Sequence, residues 1–162
     1  MSLRRHLTYA VRGRTVQTMT VSLRPVTREN FRKVIALEVS PEQRSYVANN
    51  AWSLAEAYVE ALAWPRAIYA DDEPVGFLMV RMDDEKRNYF LWRLMIAAGH
   101  QGKGHGRSAL ALLADELRGR GATELTSSYE PGEHSPRGFY LGLGFEETGE
   151  IYESEVVIRL QL

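Results

Sequence analysis

The sequence predicts a mixed α/β domain in which one sheet carries helices on both faces. Three observations predict it. Short alternating apolar runs, bounded by turn residues, occur near both ends of the chain. Runs of helical period alternate with strands in the middle. A glycine-rich stretch, HQGKGHGRSAL, joins an apolar strand to an amphipathic helix.

The elements follow in order. Residues 20–24 (TVSLR) alternate and read as a strand. Thr27 is placed as a helix N-cap, with Val26 and Phe31 as a hydrophobic staple, ahead of FRKVIALEV. Ser53 and Glu56 form an S-x-x-E capping box opening SLAEAYVEALA, which Pro65 ends. Residues 66–70 and 75–81 read as a hairpin around DDEP. Residues 89–97 (YFLWRLMIA), aromatic and branched, read as a central strand. Residues 108–118 place Leu110, Leu113 and Leu117 on one helix face, with Gly121 as the stop. Residues 124–129 form another strand, 136–143 a short helix, and 146–151 with 155–162 a final strand pair.

The 162 residues suit one domain over 20–162. Residues 1–19 are expected to be a loose extension, because residues 1–18 hold four arginines, no acid and no clear period, and Met19 reads as an alternative start. The net charge of −1 gives no electrostatic argument for nucleic acid or an anionic membrane. The absence of cysteine excludes disulfides, thiolate metal sites and a cysteine nucleophile, and fits a cytoplasmic location. The histidines show no metal-ligand spacing, so no metal is expected.

Gly102, Gly104 and Gly106 stand where a strand turns into a helix. Glycine permits a tight turn and close ligand approach, and a helix start offers unpaired N–H groups at the positive end of its dipole. With Lys103, His105 and Arg107 interleaved, and Gln101 and Ser108 flanking, the stretch reads as a pyrophosphate site. A Walker A loop is absent, and Arg107 occupies the position where G-x-G-x-x-G requires its last glycine.

The pattern that fits is Q-x-x-G-x-G, on Gln101, Gly104 and Gly106. Here the chain resembles the GCN5-related N-acetyltransferase (GNAT) superfamily, whose motif of this form wraps the pyrophosphate of acetyl-coenzyme A. FYLGLGF, residues 139–145, resembles that family's F-Y-x-x-L-G-F signature. The resemblance covers residues 20–162 and implies a mostly antiparallel sheet, splayed at the cofactor-binding strand. Residues 39–58 and WRLMI at 92–96 resemble bacterial members described as diamine or spermine/spermidine acetyltransferases.

The resemblance implies direct acetyl transfer from acetyl-coenzyme A to a primary amine. Amides near Met95 and Ile96, beside a bulge, would polarise the thioester carbonyl. Tyr140 would protonate the departing thiolate, since a phenol near its usual pKa of roughly 10 stays protonated at neutral pH. Phe139 and Phe145 read as core. Relatives that use a glutamate base carry it on the strand before the glycine loop, where this chain has Trp92 and Arg93. Glu38, Glu42 and Glu130 are the alternatives for a base or an amine-binding carboxylate. Glu133 and His134 stand where relatives often hold a cofactor-contacting asparagine.

The family's acceptor side maps to SPEQRSYVANNAW, where Tyr46 and Trp52, with Glu38 and Glu42, suit a cationic amine. Arg93 argues the other way, toward an acceptor bearing a carboxylate. A small amine of polyamine or diamine type leads. A protein N-terminus or lysine is the enzymatic alternative, and an inactive coenzyme A-binding regulatory module the alternative of another class. A homodimer is expected, as the commonest assembly of soluble enzymes.

Overall fold

A computed structural model of the chain describes residues 3–11 and 14–162. Eight strands and four α-helices follow one another as β1 (Leu3–Val11), β2 (Arg14–Pro25), α1 (Phe31–Ile35), α2 (Asn50–Val59), β3 (Ala63–Ala70), β4 (Glu73–Asp83), β5 (Asn88–Ile96), α3 (His105–Gly119), β6 (Glu124–Tyr129), α4 (Arg137–Leu141), β7 (Glu146–Tyr152) and β8 (Glu155–Gln161). They form one sheet of order β1-β2-β3-β4-β5-β6-β8-β7. Every neighbouring pair is antiparallel except β5 and β6.

The segment expected to be loose departs from that expectation. Over the described residues, 3–11 form β1 and 14–19 begin β2, paired from Leu3↔Leu23 to Val11↔Arg14. A sheet edge tolerates a cation here, since Arg5 pairs with Asp115 of α3 at 3.3 Å.

β4 explains the layering. Its alternate residues Leu78, Val80 and Met82 pack with Leu110, Leu113 and Leu117 of α3, while Phe77 and Met79 pack with Val34 of α1 and Met95. Period-two alternation therefore buries both faces of this strand.

Several boundaries moved from their predicted places for local reasons. Thr27 opens a turn in which its N–H donates to Asn30 Oδ1 at 2.7 Å, so α1 begins at Phe31 and lasts five residues. The α2 cap is Asn49, whose side chain accepts from Trp52 N at 2.8 Å. Ser53 is thereby drawn inside the helix, where its hydroxyl donates to Asn49 O. Pro65 lies within β3 rather than before it, paired with Met79 on one side and beyond the last β2 pair, Pro25↔Arg66, on the other. A proline is tolerated there because no strand on that side calls for its missing N–H.

Two irregularities position the site. β5 and β6 share only the pairs Phe90↔Thr126 and Leu91↔Ser127 and then separate. At that point β5 bulges: Met79 faces Arg93 and Val80 faces Leu91, leaving Trp92 as the extra residue. The bulge reverses the alternation, so Leu91 before it and Leu94 and Ile96 after it all pack toward the α3 layer.

Gly76 sits against this strand, where an added Cβ would overlap the Met95 carbonyl oxygen. Gly76→Ala should lower the urea-unfolding free energy by about 2–3 kcal/mol through overpacking. An unchanged urea midpoint would contradict the close approach.

Candidate active site

α3 supplies the first part. Gly104 caps it with φ +83, and Gly102 turns the preceding residues with φ +75. The N–H groups of His105, Gly106 and Arg107 have no intrahelical acceptor, and Ser108 N is the first to bond back, to Gly104 O at 3.1 Å. No atom lies within 4 Å of a Cβ built on Gly102 or Gly104, so the turn opens onto free space. That space fits a diphosphate presented to a helix start.

The interleaved side chains differ in their disposition. Lys103 and Arg107 are exposed, donating to Gly99 O at 3.0 Å and Gly142 O at 3.2 Å. His105 turns inward and is 2% exposed. Burial, then the neighbouring His100 and Lys103, lower its pKa, so the ring is neutral at pH 7 and adds no charge to the turn. Its Nδ1 has no hydrogen-bond partner. Gln101 donates from Nε2 to Gln43 Oε1 at 2.7 Å and Ile96 O at 2.8 Å, tying the loop to the end of β5.

β5 supplies the second part. Ala97 N donates to Val75 O at 2.9 Å, and Gly76↔Ile96 and Phe77↔Met95 are in register. The alternation of an antiparallel ladder then makes Met95 the bonded partner of Phe77. The N–H groups of Leu94 and Ile96 face away from β4, along the edge that β6 has left. Of the two residues singled out from sequence for their amides, Ile96 therefore presents a free edge and Met95 does not.

Two cavities meet across the separated strands. One, of about 520 Å³, runs from the glycine turn along Leu94 and Ile96 to Phe139 and Tyr140. The other, of about 500 Å³, lies on the far side, between Arg93 of β5, Ser127 of β6 and the β7–β8 turn. Tyr46, Val47, Leu94, Pro136 and Tyr140 line both.

Tyr140 is 6% exposed and is held edge-on between Phe139 and Phe145, with ring centroids 5.4 and 5.2 Å away. Burial drives its pKa up to about 12, with the nearby Ser127 hydroxyl pulling down and Glu155 adding a smaller push up. Phe145 is core as expected at 2% exposed, whereas Phe139 is 39% exposed and lines the first cavity.

The residues proposed from sequence for the acceptor do not all gather. Tyr46 does, lining both cavities. Glu38 is exposed and pairs with Arg44 at 2.9 Å. Glu42 is also exposed, with bonds from its own backbone and Ser40 holding its carboxyl below the usual range. Trp52 is 62% exposed and donates from Nε1 to Glu56 Oε1 at 3.1 Å. None of these three lines either cavity.

The second cavity instead draws carboxylates from the chain's C-terminal part: Glu130, Glu153 and Glu155. Ser154 donates to Glu130 at 2.8 Å, and the Ser128 hydroxyl donates to Glu155. Among the described residues no arginine or lysine forms an ion pair with any of the three. Glu130 was legible from sequence; Glu153 and Glu155 carried no motif, and only the β7–β8 turn brings them here. No group of three or more His, Asp or Glu side chains among the described residues is arranged to hold a metal. No helix among them is long and apolar enough to cross a membrane.

The model of the Acetyltransferase (GNAT) family matches residues 24–145. A spermine/spermidine N(1)-acetyltransferase of Bacillus subtilis strain 168 is 28% identical over 158 residues, covering 89% of this chain and all of that protein. The crystal structure of the PaiA N-acetyltransferase of Thermoplasma acidophilum in complex with coenzyme A superposes with a TM-score of 0.71 at 14% identity, covering 88% of this chain and 99% of that one. Naa50 of Arabidopsis thaliana, in complex with the bisubstrate analogue CoA-Ac-MVNAL, superposes at 0.64 with 22% identity, over 88% and 99%.

Because the fold favours the neutral phenol of Tyr140, that contribution to stability is complete below about pH 10 and fades as pH rises toward about 12. In the folded protein, the phenolate absorbance of wild type minus that of Tyr140→Phe should show one tyrosine ionising near pH 12. A difference curve centred near pH 10 would contradict the burial.

Proposed function

The chain belongs to the GNAT acetyltransferase family, an N-acetyltransferase with acetyl-coenzyme A as co-substrate, and from that premise we propose that it acetylates a primary amine of a small polyamine or diamine. The observation that carries this reading is the charge balance of the second cavity. Both of its arginines are matched, Arg44 by Glu38 and Arg93 by Glu56, each at 2.9 Å. Among the described residues, its three glutamates have hydroxyl donors at most and no cation partner. A molecule carrying two or more ammonium groups supplies the missing charge.

The chain's own groups divide the work. The helix-start amides of His105, Gly106 and Arg107, with Lys103 and Arg107 side chains outside them, bind the diphosphate of the co-substrate. Gln101, bonded to Ile96 O, keeps that turn in line with β5. The open edge of β5 receives the extended arm, and the Ile96 N–H meets the thioester carbonyl, favouring the oxyanion as charge develops there. The co-substrate brings the activated acetyl group. Tyr140, kept protonated by burial, donates its phenolic proton to the departing thiolate, and the proton that the attacking nitrogen sheds passes through solvent to restore the phenol. The amine enters from the second cavity, so the two reactants meet beside Leu94 and Tyr140, and alignment supplies much of the rate. Carboxylates of that cavity hold the ammonium groups that do not react. The proposal includes a cytoplasmic homodimer.

The test follows free thiol after mixing the protein with acetyl-coenzyme A and an amine panel. Release with spermidine or a diamine is expected. Release with peptides alone would replace this reading with a protein acceptor, and uptake without turnover on the whole panel would replace it with a regulatory module. Tyr140→Phe should lower kcat by roughly a hundredfold or more while leaving co-substrate affinity intact. Gly104→Val, forced into a left-handed conformation that a branched residue resists, should weaken co-substrate binding by calorimetry before it affects kcat.

A further inference from the structure

Of the two arginines on the second cavity, Arg93 is the buried one that opposes a cationic acceptor. It lines the second cavity, and its side chain is 17% exposed, too buried for salt to screen its charge fully. The bulge at Trp92 turns Arg93 to the α2 side of the sheet, the side of Met95, where Glu56 meets it. Nη2 donates to Glu56 Oε2 at 2.9 Å, and Nη1 donates to Trp92 O at 2.9 Å, on the bulge itself. Nε is buried without a partner. The other oxygen of Glu56 accepts from Trp52 Nε1 at 3.1 Å. Both carboxylate oxygens are thus engaged, one by the indole that orients the group and one by the guanidinium it neutralises. Glu56, 26% exposed, does not itself line the cavity. The Arg44–Glu38 pair differs in being 62% and 70% exposed, where water screens either charge.

Resting on the cationic-acceptor reading above, we infer that Glu56 is a positioning residue that sets acceptor specificity: it draws the Arg93 guanidinium onto α2 and cancels its charge, so that a cavity wall holding an arginine still admits a polycation. Trp52 belongs to this device as the donor that aims Glu56. The role requires a charge, not merely a hydrogen bond, and this separates it from a structural pair.

Glu56→Gln keeps the size of the side chain and an acceptor oxygen for Arg93 or for Trp52 but not for both, and it removes the charge; the double variant below separates the charge from the lost hydrogen bond. The readout is the ratio of kcat/KM for spermidine to kcat/KM for butylamine, in which any general loss of rate cancels. Glu56→Gln should lower that ratio roughly tenfold, because the uncovered guanidinium repels the second and third ammonium groups more than the one they share. Glu56→Gln combined with Arg93→Met, neutral again at this wall, should restore the ratio even if kcat stays low. A ratio untouched by Glu56→Gln, or one that the double variant fails to restore, overturns the inference while leaving the polyamine reading in place. A wild type inert toward both amines removes the polyamine reading and the inference with it.

Discussion

The parting of β5 from β6 is the constraint on which the rest of the site depends. Two register pairs hold the strands together, and the Trp92 bulge follows at once. A fully paired parallel ladder would have left β5 no free edge. Because the ladder stops at Leu91, the edge of β5 beyond it is free, and the two cavities meet through the gap. Tyr140 reaches that junction from α4, packed between Phe139 and Phe145. The bulge also reverses the alternation of β5, which sends Leu94 and Ile96 to one side and Arg93 and Met95 to the other. One extra residue thus determines which amides are free, which side chains line the gap and where Arg93 points.

Electrostatic division follows from this geometry. The cavity on the α3 side is bounded by a helix start, where unpaired amides and the dipole favour an anion. The cavity on the other side is bounded by Glu130, Glu153 and Glu155. Between them the groups that could confuse the two signs are kept neutral. His105, at the first position of α3, is buried and uncharged at neutral pH. Tyr140 is held as the phenol by the same cause, loss of solvent. Arg93 is covered by Glu56. The two cavities thus present potentials of opposite sign on either side of the gap.

The sheet that supports this arrangement is wider than its functional part. β1 and β2 extend it beyond β3, and Arg5 of β1 ties that edge to Asp115 on α3. α3 therefore packs on β1, β2 and β3 while its first turn faces the gap at β5. A helix braced along most of its length presents its first amides with little freedom, as recognition of a diphosphate by backbone groups requires.

Local chemistry was legible in the sequence because its causes are local. The glycines of HQGKGHGRSAL have no use in a paired strand, and their positive φ values at Gly102 and Gly104 meet a turn that other residues resist. Leucines at helical spacing marked the buried face of α3, and FYLGLGF marked the helix that carries Tyr140. What sequence could not determine were matters of partnership. Whether residues 3–11 pair with β2 depends on an edge formed by residues far along the chain. Whether His105 shows its ring to an anion or to the core depends on what packs beneath α3. Glu56, which local spacing casts as a capping residue, meets Arg93 across 37 positions of sequence. The glutamates of the second cavity converge only because β8 inserts between β6 and β7. Sequence alone determined a glycine turn that opens a helix, since backbone conformation and unpaired amides are properties of a few consecutive residues. Tertiary structure decided the sign of the other cavity, since a charge counts there only after its neighbours in space have cancelled it or left it alone.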